Sequence, residues 1–172
     1  MRRTVRVAAS IIGAAVIAIV GVSCDDDDPI GPGNQIWVAN LNAAAEGNTP
    51  PITSPGSGVF TFEDRGTSIE WELTLTNITN VTQSHIHLGT AAAVAPNAGP
   101  VIINLFMPVR ATGNETGTMN GTVARGTITN GNNGSYSLDA LRTLFNSSGV
   151  YANVHTTANP GGEIRDQIHP SN

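Results

Sequence analysis

The chain has 172 residues, with eight arginines, no lysine and thirteen acids, for a formal net charge of −5. A surface so poor in cations offers no basic patch for nucleic acid, and without lysine a Walker-type phosphate loop is excluded outright. The single cysteine excludes an internal disulfide.

Residues 1–23 read as an export signal. Arg2, Arg3 and Arg6 form a basic start, and Val7 to Val22 is almost uninterrupted in its apolarity, yet too short to read first as a membrane span. Gly21, Val22 and Ser23 then lead into Cys24. A lone cysteine directly behind small residues resembles the lipidated cysteine of a bacterial lipobox, with Gly21 standing where a large aliphatic is usual. The expectation is an exported protein held to the bacterial cell envelope by lipid on Cys24, at the periplasmic face of the outer membrane or at the cell surface. Loss of the signal removes three of the eight arginines, so residues 24–172 carry five against thirteen acids, formally −8. Residues 24–34 hold Asp25 to Asp28, Pro29, Gly31, Pro32 and Gly33 and read as a solvated, self-repelling linker. The four acids are consecutive, not spaced as a calcium loop would need.

From Gln35 to His169 the pattern is one domain of short strands. Ile36 to Leu41 is a first strand. Asn48 to Gly58 carries three prolines and two glycines and reads as a loop. Val59–Glu63 and Ser68–Thr76 alternate: Phe60 and Phe62 share one face, and Ile69, Trp71, Leu73 and Leu75 take one side of the next strand. Asp64 to Thr67 supplies a hairpin turn between them. Thr82–Leu88 and Pro100–Phe106 are further strands joined by a Gly/Ala/Pro loop, and Thr116–Ile128 is Thr- and Gly-rich and exposed. The one helical signal is Ser137 to Asn146, with Ser137 as cap, Asp139 in the first turn, and Leu138, Leu141, Leu144 and Phe145 as a core-facing stripe that Gly149 would end. Val150–Thr156 and Gly162–Ile168 close the domain. Many short strands without a βαβ rhythm predict an all-β fold, an immunoglobulin-like antiparallel β-sandwich of Greek-key type with one short helix.

Three of the four histidines fall in two of these strands, about 70 residues apart. Period-two geometry sets His85 and His87 opposite Ile86 and Leu88, and sets Tyr151, Asn153 and His155 opposite Ala152 and Val154. In the last strand Ile164 and Ile168 face the core, while Glu163, Arg165 and Gln167 face away. With these strands as neighbours, His85, His87, His155, Glu163 and Arg165 converge on one outer surface. Two histidines at i and i+2 with a third from an adjacent strand suit zinc or copper, leaving a fourth position open. Beside them Arg165 would attract an anion or pair with Glu163. The same pattern is equally met by histidines that only bond to loop backbone. No Gly-x-Ser-x-Gly elbow or other complete catalytic set is present, so no enzyme activity is expected.

Beyond these patterns, His85-Ile86-His87, the segment Ala98 to Ile102, and the long closing run from Tyr151 to Ile168 (Tyr-Ala-Asn-Val-His-Thr-Thr-Ala-Asn-Pro-Gly-Gly-Glu-Ile-Arg) resemble the CHRD, or chordin-type, domain. Leu41, Glu46, Pro50-Pro51 and Gly58-Val59-Phe60 fit that family's looser opening, and the resemblance covers Ile36 to Ile168. It implies an immunoglobulin-like sandwich, found in animals as repeats of an extracellular antagonist of growth-factor signalling and in bacteria as a lone exported domain. Asp166 departs from the usual glycine, so an acid on the Ile164/Ile168 face must reach solvent or find a partner. A weaker likeness is to copper-zinc superoxide dismutase, which also has a His-x-His strand and a later strand histidine. Its zinc-loop histidines, bridging histidine and disulfide cysteines have no counterpart here.

Two functional expectations follow. One is a non-catalytic binding or structural module whose polar face, Asn153, Glu163 and Arg165 included, recognises an extracellular protein or glycan. The other is a copper- or zinc-binding protein using His85, His87 and His155.

Overall fold

The computed structural model describes residues 35–48, 50–92, 99–106, 117–131 and 134–171. The expected signal segment, Cys24 and the linker at 24–34 lie outside them. The elements are β1 (Ile36–Asn42), a 3-10 turn (Ala44–Glu46), β2 (Ser57–Asp64), β3 (Ile69–Thr79), β4 (Val81–Leu88), β5 (Val101–Phe106), β6 (Thr118–Ile128), α1 (Leu138–Asn146), β7 (Val150–Thr156), β8 (Ile164–Gln167) and β9 (His169–Pro170). The fold is all-β with one short helix, as the periodicity predicts. Every pairing is antiparallel, in one path β5-β4-β7-β8-β1-β2-β3-β6 with β9 beside β1. This sheet curls until it is nearly closed into a barrel-like shape, so the two layers of a sandwich are here two halves of one sheet, joined through β8 and β1.

Alternation explains the core. Phe60 and Phe62 on β2 pair in register with Leu73 and Trp71 on β3. All four point inward with Trp37, Ile86, Val154 and Ile164 from the other elements. The β2–β3 turn falls at the expected residues: Gly66 takes φ 78°, and Asp64 Oδ1 accepts from its N–H at 2.8 Å. Helix α1 is capped by Ser137, which accepts from the Ala140 N–H. It packs Phe145 edge-on to Trp37 and Phe62, with centroids 5.2 and 5.1 Å apart. Arg142 fixes the helix to the hairpin through a bidentate pair with buried Asp64, at 2.7 and 2.8 Å.

The helix ends one residue earlier than the glycine signal suggests. Ser148 takes the left-handed conformation, φ 50°, while the Gly149 N–H reaches back to Leu144 O at 2.8 Å. The two reverse hydrogen bonds of a Schellman ending are formed, with serine where glycine is usual.

Two corners set the topology. At Asn80, φ 56°, the chain leaves β3 and enters β4 in the opposite half of the sheet. Its side-chain Oδ1 accepts from Gly117 N and its carbonyl from Thr157 N, tying the start of β6 and the end of β7 to the corner. At the chain's end, Val38 and Trp37 of β1 pair with His169 and Pro170 of β9, and the Ser171 N–H donates to Ile36 O at 2.9 Å. Asp166, on β8, finds its partner on β1: its carboxylate accepts the Asn40 backbone N–H at 2.8 Å.

Candidate metal centre

The site is built on β4, β7 and β8, the neighbours that the parity argument needs. His85 pairs across with Asn153, His87 with Tyr151, and Asn153 in turn with Arg165. His85, His87 and His155 come together as expected, each offering a ring nitrogen within 4.8 Å of the others.

The expected outer surface, however, is not exposed. His85, His87, His155, Asn153, Glu163 and Arg165 are all buried, and every residue of β7 is buried on both sides. Parity assigned these side chains to the correct side; it carried no information about a second cover. That cover comes partly from the connection between β1 and β2. Glu46, from the 3-10 turn, is 1% exposed and meets Arg165, with Nε 2.9 Å from Oε2 and Arg165 Nη2 bonded to the Glu46 carbonyl. Ser54, from the same connection, donates to Glu163 Oε1 at 2.6 Å.

Arg165 therefore pairs with Glu46 and not with Glu163. Glu163 instead accepts from Ser54, Thr156 and Asn159. Burial works to raise its carboxyl, and these three hydrogen bonds outweigh burial and hold it below the usual range. Glu46 shows the reverse balance: burial pushes its carboxyl up to about 7 against the lowering effect of Arg165. Glu46 entered the sequence reading only through the family resemblance, because a turn between strands has no periodicity to point its side chain. Gly162 accommodates the pair. It takes φ 126°, and a Cβ there would lie 2.6 Å from Glu46 Oε1.

Two of the three rings are held by backbone carbonyls. His87 Nδ1 lies 2.8 Å from Gly99 O, and His155 Nδ1 lies 2.9 Å from Pro160 O. A carbonyl oxygen can only accept, so both Nδ1 atoms carry the proton and both Nε2 atoms keep a lone pair. The Asn159-to-Gly162 turn thus presents the carbonyl that orients His155. His85 Nδ1 sits 3.1 Å from His155 Nε2. Burial, then the neighbouring imidazoles, hold His85 down to about 4. Burial likewise lowers His87 and His155, so the neutral, ligating form prevails. On the far side of His87 the Tyr151 ring stacks at 4.9 Å and 7°, and the Arg165 guanidinium lies 5.3 Å above that ring.

The CHRD domain model matches residues 37–168. The chain belongs to the CHRD family. No curated protein and no solved structure matches it. Within this CHRD domain the donor set is chemically suited to a borderline dication. Imidazole nitrogens bind zinc or copper at about 2.0–2.1 Å, which puts two ligands on one tetrahedral ion about 3.4 Å apart. The 3.1 Å His85–His155 separation is already of that size.

Proposed function

We propose that this CHRD domain is a non-catalytic metal-binding module of the bacterial cell envelope, holding zinc or copper through His85, His87 and His155. The observation that carries the reading is the pair of carbonyls, Gly99 O and Pro160 O, that take the Nδ1 protons and leave two Nε2 lone pairs beside His85. Such outer partners are how proteins orient metal-ligating histidines. The basic start, apolar run and Cys24 support export and lipid anchoring. Recognition of an extracellular protein or glycan through Asn153, Glu163 and Arg165 has less support, since these side chains are buried.

The test is elemental analysis of the chain purified without an affinity tag, after zinc and copper loading and desalting. One equivalent in wild type, lost in the His85→Ala/His87→Ala double variant, supports the reading. Absence of stoichiometric metal in folded wild type removes it.

A further inference from the structure

Two buried acceptors lie beside the histidine triangle without a donor. Among the described residues, neither His87 Nε2 nor Asn153 Oδ1 makes a hydrogen bond of ordinary geometry. Leaving a buried polar atom unpaired costs about 1–3 kcal/mol, so each such atom needs an explanation. The Asn153 side chain lies against His87, close enough to act on its proton equilibrium. It also occupies the middle of the site: it is 3% exposed, it faces the same side as Tyr151 and His155 on its own strand, and it sits opposite His85 on β4 and Arg165 on β8. With Nδ1 of His87 already donating to Gly99 O, its Nε2 is left as a second acceptor beside the Asn153 side chain.

Building on the metal reading above, we infer that Asn153 is the fourth ligand of the centre, its side-chain carbonyl oxygen completing an N3O set with His85, His87 and His155. A cation between the three imidazoles would satisfy both orphaned atoms at once. A set of three imidazoles and one amide oxygen, without sulfur, selects a divalent ion such as zinc over copper(I), which prefers thiolate or thioether. Four protein ligands also make the centre closed. Closed centres are structural, whereas catalytic zinc keeps a position for water.

The experiment titrates the full chain with zinc against a competing chelator, and with cobalt(II) followed by its visible absorption, for wild type, Asn153→Ala and Asn153→Asp. As a ligand, Asn153 gives a wild-type cobalt spectrum that added azide leaves unchanged. Asn153→Ala then weakens zinc binding by roughly 10- to 100-fold or more and makes the cobalt spectrum respond to azide. Asn153→Asp, which keeps an oxygen at the position, binds zinc at least as tightly as wild type. If Asn153→Ala binds zinc within about twofold of wild type with an unaltered cobalt spectrum, Asn153 is not a ligand. Should Asn153→Ala fail to fold, Asn153→Asp decides alone, and weakened zinc binding there overturns the inference. A wild type that takes up neither metal fails the metal reading itself, whereas a wild type that binds normally beside an unaffected Asn153→Ala fails only this assignment.

Discussion

Glu46 and Arg165, 119 residues apart in the chain, meet as a buried ion pair, with Arg165 Nε 2.9 Å from Glu46 Oε2. The contact closes a polar layer over the β4–β7–β8 surface and fixes the β1–β2 connection against the last part of the sheet. Removing one partner leaves the other charge buried. Glu46→Ala should therefore cost about 3–5 kcal/mol, read as a lower urea midpoint at unchanged slope. Replacing both residues together by methionine should recover a large part of that loss. A single Glu46→Ala variant as stable as wild type would contradict the burial of the pair.

Acidity should act on this pair in the direction opposite to its action on the histidines. Glu46 is raised to about 7 in the folded chain from an ordinary value of 4.5. Between those values the native state keeps a proton that the unfolded chain releases, so this contribution is full below pH 4.5 and is lost as pH rises through 7. His85, His87 and His155 are lowered from 6.5, so their contribution is present above pH 6.5 and is lost on acidification, towards about 4 for His85. Three groups oppose one, and wild type should lose stability below pH 6.5. The Glu46 effect is isolated by Glu46→Gln, whose stability relative to wild type should increase from pH 4.5 to pH 8. Urea unfolding with a chelator present measures it; a pH-independent difference would show that the carboxyl titrates normally.

Gly162 is constrained twice, by its φ of 126° and by the Glu46 carboxylate standing where a Cβ would go. Gly162→Ala should destabilise by roughly 1–3 kcal/mol from backbone strain alone, with the steric clash added. In a Glu46→Ala background the clash is gone and only the backbone part remains. The two losses should accordingly be non-additive in a double-mutant cycle, and strict additivity would place the carboxylate elsewhere.

Lipid attachment at Cys24 is tested in cells. Cys24→Ser should release the protein from the membrane fraction and abolish incorporation of labelled fatty acid, while leaving the purified protein's unfolding free energy within about 0.5 kcal/mol of wild type. Membrane retention of Cys24→Ser would refute the anchor.

Much of the fold is legible because the strands alternate. Phe60, Phe62, Leu73 and Leu75 announce their inward face by period two, and Ser137 with the Leu138–Phe145 stripe announces the helix. The same period gathers His85, His87, Asn153 and His155 on one side. What it cannot carry is whether another segment lies over that side. The covering residues Glu46 and Ser54 belong to a Pro- and Gly-rich connection whose course depends on tertiary contacts, namely Arg165 for one and Glu163 for the other. The Asp166 partner was hidden for a similar reason: the Asn40 N–H that it binds is a backbone group of a distant strand, which no side-chain pattern encodes.

The pairing of β9 with β1 brings the two ends of the described domain together, since Ser171 is bonded to Ile36. A force applied between Ile36 and Ser171 would peel β9 from β1 pair by pair before it loaded β4, β7 and the histidines. The histidine cluster on β4 and β7 is thereby insulated from a pull on the two ends of the domain.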